Sequence, residues 1–405
     1  MKLKAVVGRL RVLLSHPFFR DRRTLLGLWL LLPVVGAVMK LHSCNNFLIF
    51  RASFWHAWHG VTLYGHYPEE YFDLFLYGPA FPLLVAPFAV VPLFPGLLMW
   101  LVALSLLLYV AVRRSQFTWG QQLFILWFCA HELLTALYMQ QFNVAIAAVI
   151  LFAYYHVERG RDFWAAFFIV LGTAVKLYGV VGLAFFFFSR HKASFVCSLV
   201  FWAAVFLFVP MLFFGSDYIL SQYQEWYASL TAKNADNMFS GGTNISLLGL
   251  VRKISRCASY SDLWLIVPGL ALFCLPYLRL RQYAHAPFRQ TLLASVLMFC
   301  VLFSTGSESS GYIIALTGVA VWYVAAPWRR SRLDAALMVL VFVVSSMSPS
   351  DLFPAYLRRE WVQPYALKAL PVVLVWAKLC WEMSTRDYAP LRLPNNPSGH
   401  DEKQA

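Results

Sequence analysis

The chain has 405 residues, of which 60% are hydrophobic and 13% charged, and its formal net charge is +14. A mean hydropathy of +0.62 excludes an ordinary soluble domain, where about a quarter of the residues are charged. The basic residues sit in short clusters between apolar runs and no groove-reading motif accompanies them, which excludes nucleic acid as the partner and leaves membrane topology as the origin of the charge.

A membrane-spanning helix needs about 20 apolar residues, because the hydrocarbon core is ~30 Å thick and every backbone polar group must be bonded internally. Segments such as Val144 to Ala153 are apolar on every face, whereas barrel strands alternate. The expected fold is therefore all-α. Residues 1–386 read as one polytopic domain with about 10 to 12 membrane helices and outer-face loops. Residues 387–405 read as a polar, disordered cytoplasmic tail.

In chain order, the basic cluster Lys2, Lys4, Arg9, Arg11, Arg20, Arg22 and Arg23 is expected in the cytoplasm, followed by an uncleaved first span at Thr24–Lys40. Asn45 to Pro95 is then a polar, aromatic outer loop. Phe47, Phe50, Phe54, Trp55 and Trp58 form a helical stripe that predicts a helix over Asn46–Trp58 lying in the membrane interface. Prolines at 79, 82, 87, 92 and 95 predict that the return span, Ala80–Val112, begins as a broken or partly re-entrant helix packed against protein. Spans at Trp119–Leu137 and Asn143–Val157 follow. The stretch Phe163–Phe188 has basic residues at both flanks and is too short for two full spans, which predicts a hairpin of short helices turning at Lys176 to Gly179.

A span at Phe195–Phe214 leads to a second long outer loop, Gly215–Asp262. The remaining spans are Leu263–Leu278, Leu292–Phe303, Gly311–Ala326, Leu333–Ser345 and Tyr365–Trp381, with outer turns at Ser304–Ser310 and Met347–Gln363. This route puts both termini and the clusters Arg113/Arg114, Arg159/Arg161, Arg190/Lys192, Arg279/Arg281 and Arg329/Arg330/Arg332 in the cytoplasm. Arg252, Lys253 and Arg256 are the exception on the outer side. No internal repeat marks an inverted-repeat transporter, and the seven cysteines lack the spacing of disulfides or metal sites.

Glu69, Glu70 and Asp73 lie where the chain dives into the membrane. A partly desolvated carboxylate there gains proton affinity and can act as general base toward a sugar hydroxyl; the competing reading is a solvated acidic turn or an ion pair with Arg51. Lys176 is a cation in an apolar run, suited to a lipid phosphate or to snorkelling from a helix end. His131 and Glu132 read as a structural hydrogen-bonded pair. Glu308 suits a sugar contact or a helix cap. The turn Gly241-Gly242-Thr243-Asn244-Ile245-Ser246 followed by Arg252, Lys253 and Arg256 suits an anion site, or cations resting on anionic lipid.

Four segments in order, Tyr77-Gly78-Pro79-Ala80-Phe81 with Ala86-Pro87-Phe88, Gln140-Gln141-Phe142-Asn143, Ala174-Val175-Lys176-Leu177-Tyr178, and Thr243-Asn244-Ile245-Ser246-Leu247-Leu248-Gly249-Leu250, carry a resemblance. Over roughly residues 40 to 325 the chain resembles glycosyltransferase family 87, the polyprenyl-phosphate-sugar-dependent group that includes bacterial α-1,2-mannosyltransferases. The resemblance implies a GT-C type fold in the cell (inner) membrane. It also implies an inverting transfer of one hexose, mannose foremost, from a polyprenyl-phosphate sugar to a cell-envelope glycan or glycolipid on the outer face. Neither cofactor nor metal is implied. Donor and substrate contacts are expected from Lys176, Arg51, Asn46, Asn244, Arg252, Lys253 and Glu308. Family members often carry an aspartate as base at the start of the first outer loop, where this chain has Asn45-Asn46, and an amide cannot accept the proton. The base is therefore expected at Asp73, then Glu70, then Glu69. A transporter or flippase of a lipid-linked saccharide and a non-catalytic assembly partner are the other function classes, the latter favoured by Asn45-Asn46.

Overall fold

The computed structural model describes residues 16–240 and 242–389; Lys2 to Arg11, Gly241 and the 390–405 part of the tail lie outside the described residues. Among the described residues every regular element is helical, as the all-α reading expects. The helices Asn143–Glu158, Ala286–Leu302 and Tyr312–Ala325 are apolar and buried almost all round, which makes them the centre of the bundle. Arg22–Lys40, Leu93–Arg114 and Trp119–Tyr138 pack around them with one face inward. At the periphery, Lys192–Phe214 buries only Phe195, Ser198 and Pro210 and turns its other apolar side chains outward. Such a surface belongs against lipid. Together with Arg22–Ser43 and Leu93–Arg114 it is long and apolar enough to cross a membrane. The protein is an all-α polytopic membrane protein.

The proline-rich entry is broken as expected: Phe81–Ala89 is a short helix, and the full span starts afresh at Leu93 after Pro92. The predicted hairpin is also present. Asp162–Lys176 ends at Leu177, whose φ of 46° is left-handed, and the chain returns as the 3-10 helix Tyr178–Phe188. The two arms touch at glycines: a Cβ on Gly179 would lie 2.3 Å from the Thr173 nitrogen and 2.6 Å from the Gly172 Cα.

Three expectations are corrected. The segment expected as a second outer loop holds a 21-residue helix, Ser216–Asp236, and a shorter one, Leu247–Ser255. Its polar composition hid the first of these from a search for apolar runs. The aromatic helix Asn45–Trp58 does not rest mainly in the membrane interface: Phe47, Phe50 and Phe54 are buried in protein, while Trp55 and Trp58 are exposed. His131 and Glu132 are not bonded to each other. His131 Nδ1 meets the Ser346 hydroxyl at 3.0 Å, and Glu132 accepts from the Lys368 ammonium at 2.8 Å, because side chains adjacent on a helix point to different neighbours.

Contacts between helix ends fix the relative sidedness of the clusters. Arg22 and Arg113 both lie over the Trp119 ring, Gln121 donates to the Val324 carbonyl, and Arg279 donates to the Met383 carbonyl. The basic clusters therefore meet at one end of the bundle. At the opposite end Asn46 donates to the Met139 carbonyl and Gln141 donates to Glu308.

Candidate active site

The end away from the basic clusters holds a cavity of about 500 Å³. Its lining includes Asn46, Asp73, Tyr77, Gln141, Lys176, Tyr178, Trp226, Lys233, Ser304 and Glu308. Five separate stretches of chain must be held in register to build it: residues 46–77, Gln141, Lys176 to Tyr178, Trp226 to Asn237 and Ser304 to Glu308.

The segment that follows the helix Arg22–Lys40 is anchored by Asn45. Its side-chain amide donates to the Phe72 carbonyl and accepts from the Phe72 N–H at 2.7 Å, a two-way clamp that an ionised carboxylate cannot make. The next residue, Asp73, has a φ of 79°, and its carboxylate accepts from the Leu74 N–H at 2.9 Å and from the Lys233 ammonium at 3.2 Å. That carboxylate is 47% exposed and Lys233 is 24% exposed, so this is a wet, weak ion pair at the cavity mouth. Downstream, Tyr77 packs on Phe50 and Phe81 with ring centroids 4.9 and 4.8 Å away, and Gly78 donates to the Val175 carbonyl at 3.0 Å. A Cβ on Gly78 would stand 1.9 Å from the Ala174 carbonyl oxygen. Only glycine lets the loop reach the turn that carries Lys176.

Lys176 projects into the cavity between two rings, 5.3 Å from the centroids of both Tyr77 and Tyr178, and donates to Asn143 Oδ1 at 2.8 Å. Asn143 Nδ2 donates to Gln141 Oε1 at 2.8 Å, and Gln141 Nε2 donates to Glu308 Oε2 at 2.6 Å. The amides thus form an oriented chain from cation to carboxylate, each oxygen facing the positive end. Ser310 supplements it, accepting from Asn143 Nδ2 at 2.9 Å and donating to Gln141 Oε1 at 2.9 Å.

The turn bearing Glu308 is held from behind by the 243–250 segment. Ile245 donates to the Ser307 carbonyl at 2.8 Å and Tyr312 donates to the Ile245 carbonyl at 2.9 Å. Asn244, in a left-handed turn, accepts from Ser246, which caps Leu247–Ser255 by accepting from the Gly249 N–H at 3.0 Å.

Asp73, Asn46, Lys176 and Glu308 are therefore brought together, and the other residues singled out from the sequence are not. Glu70 accepts from His56 Nε2 at 3.0 Å outside the cavity, and Glu69 is exposed with no partner among the described residues. Arg51 donates to the Ala89 carbonyl at 3.0 Å and makes no ion pair with the acidic turn. Asn244 is buried beneath the Glu308 turn. Arg252 is spent on its own loop: it donates to the carbonyls of Cys257, Ala258 and Tyr260 and pairs with Asp262 at 2.6 Å. Lys253 donates to the Thr243 carbonyl, and burial pulls its ammonium down to about 8. Arg252 and Lys253 thus hold a loop together rather than standing open to an anion, while Arg256 is exposed and its side chain has no hydrogen-bond partner among the described residues. Gln141, Asn143, Trp226 and Lys233 were not singled out as site residues. The first two stand in a segment that carries the resemblance, and the last two sit on a helix read as a loop.

All four segments that carry the resemblance, from Tyr77 to Leu250, fall within one family match. The model of glycosyltransferase family 87 matches residues 75–305, more than half of the chain. The chain belongs to glycosyltransferase family 87. It is a membrane glycosyltransferase, and membership in family 87 brings with it a sugar donor and an acceptor. No curated protein matches the chain. The acidic turn and Asn45 precede the region matched to family 87, and Lys233, Asn234 and Ser304 lie inside it.

Proposed function

We propose that this protein transfers a hexose, mannose foremost, from a polyprenyl-phosphate donor to a glycan or glycolipid acceptor of the cell envelope, at the outer face of the cell membrane in a GT-C type fold. The observation that carries the reading is the cavity with a carboxylate at its mouth, Asp73, and an inward cation, Lys176, held by Asn143. Asp73 takes the proton of the acceptor hydroxyl as its oxygen bonds to the anomeric carbon; the carbon–oxygen bond to phosphate breaks, and the lipid phosphate leaves with its charge toward Lys176. Between them, Asn46, Gln141, Ser304 and Glu308 offer hydrogen bonds to sugar hydroxyls.

Convergence of the polar groups at one end of the bundle, rather than along a path through its middle, favours transfer over transport. Asp73→Asn should lower the transfer rate by about 10² or more with expression unchanged. Glu69→Gln and Glu70→Gln should leave it near wild type, since neither side chain reaches the cavity. Lys176→Met should weaken donor use, read as a raised donor KM. Transfer at wild-type rates in Asp73→Asn, measured with a polyprenyl-phosphate sugar, would remove Asp73 from the mechanism.

A further inference from the structure

A second cavity of about 770 Å³ opens beyond Glu308, between the ends of Arg22–Lys40 and Trp119–Tyr138 and the segment 348–368. Glu308 is the one described residue that lines both cavities. Its Oε2 is taken by Gln141, whereas Oε1 has no partner among the described residues. A two-substrate transferase needs two compartments that meet, and this carboxylate stands where they do.

The lining of the second cavity is amphiphilic. Leu134, Tyr138 and Val362 supply apolar wall, and Ser348, Ser350 and Gln363 supply hydroxyl and amide groups. Two cations there have uncommitted donors. The Lys40 ammonium sits 5.6 Å over the Tyr138 ring and has no acceptor among the described residues. Arg358 makes all its bonds through Nη1, to the carbonyls of Pro349 and Ser350 and to the fully exposed Asp351. Lys368, by contrast, is occupied: Glu132, the Ser309 carbonyl and the Ser309 hydroxyl take its three protons. The 348–363 segment that forms part of the cavity wall exposes Leu352, Tyr356 and Trp361, the composition of a segment lying among lipid head groups.

We propose that the second cavity holds the acceptor, a phosphate-bearing amphiphile, with its head-group phosphate against Lys40 and Arg358 and its carbohydrate end turned to Glu308 Oε1. The assignment rests on the transferase reading above and adds the class of molecule that accepts the sugar. Apolar wall serves the lipid, the two open cations serve the phosphate, and the shared carboxylate receives a sugar hydroxyl from the side opposite Gln141.

The test is photo-cross-linking of the full chain in nanodiscs with a diazirine-bearing phosphatidic acid and, in parallel, the diacylglycerol of the same acyl chains. Cross-links should fall on the 131–139 and 348–366 peptides with the phosphate-bearing probe. They should drop roughly tenfold in Lys40→Met with Arg358→Gln, as expected for two cations facing an anionic head group. Lys40→Met alone, whose ammonium bonds nothing else among the described residues, keeps the test valid if the double variant fails to fold. Thr135→Trp, which fills the cavity, should remove the cross-links and raise the acceptor KM when sugar is transferred from its polyprenyl phosphate into a lipid extract, with the donor KM unchanged. Equal labelling by the two probes, or labelling insensitive to Lys40→Met, would overturn the proposal. Selective labelling with transfer unaffected by Thr135→Trp would overturn it too, by assigning the cavity to bulk anionic phospholipid. Asp73→Asn should retain the cross-links, so a failure of the base assignment leaves the binding result standing.

Discussion

Asn45 decides how the acidic turn is used. An aspartate there would have no proton to donate to the Phe72 carbonyl and would set its charge against that oxygen, whereas the amide satisfies both backbone groups of Phe72. The side chain that the resemblance offers as a base is, in this chain, a clamp that fixes the residue before Asp73. Asn45→Asp should therefore lower transfer and cost about 1 kcal/mol of stability. Activity rising in Asn45→Asp would show that the base belongs at position 45. The sequence placed three carboxylates within five residues and could not rank them by physics, because the ranking depends on backbone direction. Asp73 reaches the cavity through a left-handed turn, while Glu70 is drawn off by His56, a partner fourteen residues earlier that only the folded loop brings near. Lys176 was legible, since a cation in an apolar run calls for a partner. That the partner is Asn143, and that two amides lead onward to Glu308, required the packing.

At the scale of elements, apolar runs and prolines revealed the three long apolar helices, the broken entry at Phe81–Ala89 and the hairpin at Lys176 to Gly179. The helix Ser216–Asp236 was hidden, yet its pattern was present in Tyr218, Gln222 and Trp226 at helical spacing. Those side chains strap the 61–76 segment. Tyr218 donates to the Val61 carbonyl at 2.7 Å, Gln222 accepts from the Leu63 N–H at 2.7 Å, and Trp226 donates to the Leu76 carbonyl at 3.0 Å. Leu63 is fully buried, so Gln222→Ala would leave its N–H without an acceptor at a cost of about 1–3 kcal/mol. The expected result is a lower melting temperature in detergent and faster proteolysis within residues 60–77, with the donor KM raised as the loop loosens. An unchanged cleavage rate there would mean that the loop holds its shape without this helix.

At the scale of the molecule, the chain separates charge by end. Arginine clusters gather where Arg289 pairs with Glu158 at 2.6 Å and Arg330 pairs with Glu382 at 3.1 Å, and the two cavities open at the other end. The spacing of basic clusters made this separation legible, because the charge rule counts lysines and arginines near span ends rather than net charge. The Arg252 exception was not legible as a structural knot, since its three carbonyl acceptors come from backbone. A native thiol on that knot gives the absolute orientation. Cys257 lies at the cavity end, and its thiol is held below its ordinary value by hydrogen bonding to the Ser259 side chain and to the backbone of Ser259 and Tyr260. A lowered value means more thiolate near neutral pH and faster reaction with a maleimide. If the cavity end faces outward, a membrane-impermeant maleimide should label Cys257 in intact cells, Cys257→Ser should abolish that label, and Ser259→Ala should slow it. In the Cys257→Ser background, Arg190→Cys, at the basic end, should react only after the membrane is permeabilised. Labelling of Arg190→Cys in intact cells, with Cys257 protected, would invert the map and move the reaction to the cytoplasmic face, where a lipid-phosphate donor would have to be presented from the other leaflet.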